Sequence, residues 1–158
     1  MVTKKGYLIK TGEHFSEGAK HAIDGNDAVT LYTKAFVAFN RAGDATKAEE
    51  ALHAIYQITQ SDRAGHLQNK TLIGVVGAYE SSGKASDDGA SIAVFAAEMS
   101  HKKADDATAI KMYTLAKNTY TALGDKGSET EMRKAIASHQ KSSRGVSTRR
   151  RLESVGSK

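Results

Sequence analysis

The chain has 158 residues and contains no cysteine, proline or tryptophan. Its length fits one domain that can bury a core without disulfide or metal support, and the lack of cysteine excludes disulfides and thiolate metal sites. The lack of proline favours long helices. The formal net charge of +5 comes entirely from residues 141–158, because residues 1–140 contain 17 basic and 17 acidic residues.

The start of the chain gives an expectation about its compartment. Only Tyr7, Leu8 and Ile9 form an apolar run near Met1, which is too short for the apolar region of a signal peptide. No stretch approaches the roughly twenty apolar residues of a membrane-spanning helix. We therefore expect an intracellular protein, cytoplasmic or nuclear, or a virion component that is assembled inside a cell.

The first predicted element is a helix near the N-terminus. Phe15, Ala19 and Ile23 recur at helical spacing, and Gly25 is a residue type that often ends a helix. This pattern predicts an N-terminal capping helix over about 12–24.

A four-position pattern then occurs three times. Each copy has an apolar or aromatic residue, a small or aliphatic residue three positions later, an aromatic residue four positions further on, and a glycine four after that. The copies are Tyr32, Ala35, Phe39 and Gly43; Leu72, Val75, Tyr79 and Gly83; and Tyr113, Ala116, Tyr120 and Gly124. The glycines are 40 and 41 residues apart, a period typical of stacked helical hairpins.

Each copy predicts the first helix of a pair, and its glycine predicts the turn before the second helix. The candidate N-caps are Asn26 or Asp27, Asn69 or Thr71, Asp87 or Asp88, and Asp105 or Asp106, with a capping box of Ser128 and Glu131 at the last helix. The second helix of the middle pair carries Ala90, Ala93, Ala96 and Ala97, whose small side chains allow close helix packing, as expected of the central repeat of a stack.

These elements predict an all-α fold of about seven helices. Three hairpins of about forty residues stack as a short α-solenoid or bundle within a domain of residues 1–140, and a basic flexible tail follows at 141–158. The alternative is an irregular helical bundle in which the glycine spacing is coincidental. The agreement of aromatic, small and glycine positions across all three copies favours the repeat.

The first pair resembles a tetratricopeptide repeat. Its large, small, aromatic and glycine positions are followed in the second helix by Ala48 and Leu52 at the family's spacing. The chain departs from the family at Phe36, where a small residue is usual, at Gln60, near the place of the closing proline, and at Glu129, where the third pair should have alanine. The resemblance implies binding of peptides or partner proteins in a concave groove.

No motif predicts catalysis. Gly83-Lys84 ends a segment similar to a phosphate-binding loop, but Ala78 and Ala85 occupy the positions that need glycine and a hydroxyl, so a glycine-capped helix end is favoured. The histidines form no i,i+4 pair of the kind found in helical zinc sites; they are His14, His21, His53, His66, His101 and His139. We therefore predict no catalytic residue, no cofactor and no metal site.

The basic tail is the strongest functional signal in the sequence. Its cationic residues are Lys141, Arg144, Arg149, Arg150, Arg151 and Lys158, against Glu153 alone. Such a cluster suits contacts with phosphates of nucleic acid or with another anionic surface. The alternative is a tail that only improves solubility.

Two functions follow as expectations. The first is a non-enzymatic structural or adaptor subunit of a larger assembly, which binds a partner protein through its helical surface while the tail contacts an anionic partner. The alternative is a nucleic-acid-associated protein of a ribonucleoprotein or virion, in which the tail supplies most of the affinity.

Overall fold

The computed structural model describes the backbone of residues 3–156 and the side chains of residues 3–142. Within that range it contains seven α-helices, one short 3-10 helix and no strand. The α-helices are α1 (Lys4–His21), α2 (Gly25–Arg41), α3 (Ala45–Thr59), α4 (Asn69–Ser82), α5 (Asp87–Lys102), α6 (Asp106–Leu123) and α7 (Lys126–Gly156), and the 3-10 helix covers Asp62–His66.

The helices pair into the three predicted hairpins, α2 with α3, α4 with α5, and α6 with α7. The first two hairpins stack so that α2 packs on α4 and α3 packs on α5, while α1 packs on α2. The third hairpin joins through α6, which packs on α5. The predicted all-α architecture of seven helices is confirmed, and the packing is compatible with a helical-repeat fold. None of the described helices has the length and apolar character needed to cross a membrane.

A left-handed glycine ends the first helix of each hairpin. Gly43, Gly83 and Gly124 have φ angles of 76°, 67° and 76°, a region that costs an L-residue roughly 1–2 kcal/mol. The three turns of the repeated pattern therefore form where the sequence predicts them. Gly83 caps α4, so the segment that resembles a phosphate loop is a helix end.

The other positions of the repeated pattern lie in one continuous core. Tyr32 is half-buried and packs against this core. The buried members are Ala35, Phe39, Leu72, Val75, Tyr79, Tyr113, Ala116 and Tyr120. In α5 the four alanines are also fully buried, which lets this helix contact α3, α4 and α6 at once.

The predicted N-terminal helix is displaced towards the start of the chain. It begins eight residues earlier than expected and ends at His21, because Asp24 caps α2 by accepting a hydrogen bond from the backbone N–H of Asn26 at 2.8 Å. Gly25 is therefore the first residue of α2 instead of a helix end. Ile23, which its spacing placed in the predicted helix, lies in the turn and is 98% exposed.

Other predicted caps are corrected by one to three residues. Ser86 caps α5 in place of the acidic pair that follows it, and Gln68 precedes α4 without a side-chain cap. At α7 the carboxylate of Asp125 accepts hydrogen bonds from the backbone N–H and hydroxyl of Ser128, so the predicted capping box does not form. The predicted cap Asp105 is confirmed at α6. At α5 and α7, the capping group is the residue whose side chain accepts a hydrogen bond from a backbone N–H of the first turn.

The ring of Tyr79 lies directly over Gly89, where a Cβ atom would be only 2.3 Å from the ring. Gly89→Ala is therefore expected to lower the free energy of unfolding by about 1–3 kcal/mol through overpacking. Gly74→Ala is the matched control, since open space surrounds that helical glycine, and it should raise stability by up to about 1 kcal/mol. Urea denaturation of both variants checks this, and stabilisation by both would contradict the tight contact.

Hydrogen bonds from the Ser128 hydroxyl and backbone N–H hold the pKa of Asp125 below its usual value. A carboxyl group whose pKa is lower in the folded than in the unfolded state stabilises the protein at pH values above its unfolded pKa. This stabilisation is lost as the pH falls through the folded pKa. From about pH 5 downwards, the wild type should lose stability more steeply than Asp125→Asn, which keeps a cap that does not titrate. Urea unfolding as a function of pH measures this difference, and parallel curves would refute it.

Candidate functional site

A groove of about 690 Å³ lies where the turns of the first two hairpins meet. We call it the turn-side groove. Its walls are the end of α2, the first half of α3 and the α4–α5 turn. The buried apolar members are Phe36, Ala48, Leu52 and Tyr79, and the polar members include Asn40, Glu49, Glu50, His53, Lys84 and Asp88.

Hairpin stacking and small side chains together produce this space. Packing of α2 on α4 and of α3 on α5 places the two turns side by side. Ala45 and Ala85 line the groove between them, and their side chains end at Cβ, so they cannot fill it. Tyr79 forms part of the apolar wall. Its hydroxyl accepts a hydrogen bond from the backbone N–H of Ser86 at 3.1 Å, which fixes the position of the ring.

The amide of Asn40 is the unusual feature of this groove. Its Oδ1 and Nδ2 atoms are both buried and have no hydrogen-bond partner among the described residues. They are the only buried side-chain polar atoms in that part of the chain without one. An unsatisfied buried polar group costs about 1–3 kcal/mol, and in a native structure it needs an explanation.

Acidic side chains dominate the rim of the groove. The groove is lined by the carboxylates of Glu49, Glu50 and Asp88 and by a single lysine, Lys84. Two of the carboxylates already have polar neighbours: Glu49 accepts a hydrogen bond from the Ser86 hydroxyl, and Asp88 lies 3.2 Å from Nδ1 of His53. The excess of negative charge favours a cationic group on whatever occupies the groove.

The sequence did not indicate this site. Asn40 follows the core residue Phe39, and nothing in its spacing marks it as different from an ordinary surface asparagine. Its amide is buried only once the chain has folded. A polar residue directly after a core aromatic position is a weak signal that could have drawn attention to it.

The predicted basic tail is only partly within the described residues. α7 continues past residue 140 to Gly156, so the boundary at 140 does not coincide with a helix end. Lys141 is exposed, whereas the side chains of Arg144, Arg149, Arg150, Arg151 and Lys158 lie outside the described residues. The flexible character of 141–158 and its contacts with an anionic partner stay predictions.

The comparisons with known proteins assign no family to the chain. No family model, no curated protein and no solved structure matches it. The fold defines the class of protein, a stack of α-helical hairpins.

Proposed function

We propose that the chain is a non-enzymatic structural or adaptor subunit of a larger assembly, and that it binds a segment of a partner protein in the turn-side groove. The observation that carries this proposal is the buried, unpartnered amide of Asn40 in the wall of an open groove. An asparagine amide offers both donors and an acceptor, so rotation of the Asn40 side chain from its buried position into the groove that it lines would let it pair with the backbone N–H and C=O of an extended peptide.

The groove also indicates the chemistry of that segment. Its volume of about 690 Å³ can accept one or two side chains, and its apolar walls favour an aliphatic or aromatic anchor. The acidic rim formed by Glu49, Glu50 and Asp88 favours a neighbouring arginine or lysine. We therefore propose a partner segment that combines an apolar anchor with a basic residue.

The resemblance of the first pair to a tetratricopeptide repeat supports the same function. Proteins of that family generally bind peptides in a groove formed by their helices. The turn-side groove lies between this pair and the next one, so it uses the part of the chain in which the resemblance is strongest.

A second candidate function is association with nucleic acid in a ribonucleoprotein or virion. The observation that favours it is the uneven charge, with six basic residues and one acidic residue in 141–158 on an otherwise neutral chain. Contacts with phosphates would then supply most of the affinity and make it depend strongly on salt.

The substitution Asn40→Leu is expected to change stability and peptide binding in opposite directions. In the unbound protein it should raise the free energy of unfolding by about 1 kcal/mol, because it removes an unsatisfied amide. Peptides selected on the wild type from a library that carries one basic and one apolar position should bind this variant about tenfold more weakly. Denaturation and fluorescence anisotropy measure the two effects.

Asn118→Leu is the control, since Asn118 is exposed on α6 and its replacement should change stability by no more than about 0.5 kcal/mol. Selected peptides that bind the wild type and Asn40→Leu equally would rule out the groove as proposed.

The charge of the tail is tested in the full chain by replacing Arg149, Arg150 and Arg151 with glutamine. If these residues bind phosphates, the slope of log affinity for duplex DNA or RNA against log salt should decrease by about one unit for each arginine that bound a phosphate. The matched control replaces three exposed lysines near the N-terminus, Lys4, Lys5 and Lys10, which removes equal charge. Equal effects of the two triple variants would show that only net charge matters.

A further inference from the structure

Three side chains from three helices meet at the end of α5. His101 belongs to the last turn of α5, Asp106 begins α6, and His139 lies on α7. Oδ1 of Asp106 is 2.9 Å from Nδ1 of His101 and 3.6 Å from Nδ1 of His139. One nitrogen or oxygen atom from each residue lies within 4.8 Å of the other two.

A tight turn between α5 and α6 brings the first two residues together. Ala104 has a φ of 59° and is the one non-glycine residue with positive φ among those described. Its N–H donates to the carbonyl of His101 at 2.9 Å, and the N–H of Asp105 donates to the carbonyl of Ser100, also at 2.9 Å. This pattern closes the helix end within a few residues, so Asp106 comes next to His101.

The third residue is held in place by a ring contact. His139 stacks on Tyr113 of α6, with ring centroids 5.1 Å apart and planes 13° from parallel. Its side chain is 13% exposed, that of Asp106 is 19% exposed, and that of His101 is 50% exposed. The cluster is therefore largely buried at Asp106 and His139 and accessible to solvent at His101.

We propose that His101, Asp106 and His139 bind a divalent transition-metal ion of the Zn²⁺ class. Ligand bonds of about 2.0–2.2 Å place two ligand atoms on such an ion roughly 3.0–3.5 Å apart. The two distances to Asp106, 2.9 and 3.6 Å, are close to this range. The separation of the two histidine ligand atoms is within 4.8 Å, and side-chain rotations would bring it into the same range. Two imidazole nitrogens and one carboxylate oxygen suit first-row transition ions, whereas Mg²⁺ and Ca²⁺ prefer oxygen ligands. Water would complete the coordination on the exposed side.

The ion would fasten α7 to the α5–α6 turn. The described apolar side chains by which α7 packs on the core are Met132, Ala135 and Ile136, and all three are only partly buried. A metal bridge at His139 adds a fixed point one turn beyond them. Because the ion binds the folded chain through three helices, it should stabilise the native state.

The test uses the untagged full chain with Zn²⁺ as the probe. Zn²⁺ at about a hundred times its Kd should raise the Tm by about 5–10 °C, and Co²⁺ should give a visible absorption spectrum that Zn²⁺ removes. His101→Ala should weaken Zn²⁺ binding by more than about a hundredfold. His139→Gln should do the same while it keeps a side chain over Tyr113.

His53→Ala is the matched control, because His53 also pairs with a carboxylate, at 3.2 Å from Asp88, but belongs to no three-residue cluster among the described side chains. It should keep the full Tm shift, and Mg²⁺ should give none. The proposal is overturned if Zn²⁺ causes no shift in the wild type, or if His101→Ala and His139→Gln retain the wild-type shift.

Discussion

The position of Tyr79 constrains most of this structure. Its ring occupies the space over Gly89 that any larger residue would need. Its hydroxyl accepts from the N–H of Ser86 and donates to the hydroxyl of Thr119 at 2.9 Å, because the hydrogen of Thr119 is used on the carbonyl of Leu115. One side chain thus links α4, the start of α5 and α6. It satisfies its own polar group within the core and forms one wall of the turn-side groove.

Around the groove, the described buried polar groups have hydrogen-bond partners with one exception. The polar atoms of Tyr79 and Ser86 find partners, whereas the amide of Asn40 finds none among the described residues. Local violations of hydrogen-bonding rules in natural proteins are expected mostly at functional or strained sites. This contrast within one groove is why we propose that this surface binds a partner.

The two proposed sites lie on different parts of the stack and use different chemistry. The turn-side groove belongs to the first two hairpins and offers hydrogen bonds, apolar contact and negative charge. The cluster of His101, Asp106 and His139 belongs to the junction of the second and third hairpins and offers metal ligands. An ion there would fasten α7, the helix that also carries most of the basic residues of 141–158, to the α5–α6 turn.

The helices and hairpin turns could be predicted from the sequence, because helical periodicity and left-handed glycine conformation are local properties. Gly43, Gly83 and Gly124 end helices as predicted. Local pattern was less informative at helix starts, where several neighbouring polar residues can act as the cap, and Asp24 and Ser86 do so in place of the predicted groups. Neither proposed site could be predicted, because both arise from packing between helices. The amide of Asn40 loses its access to water through tertiary contacts. His139 meets His101 although 38 residues of sequence separate them, and no local spacing encodes either effect.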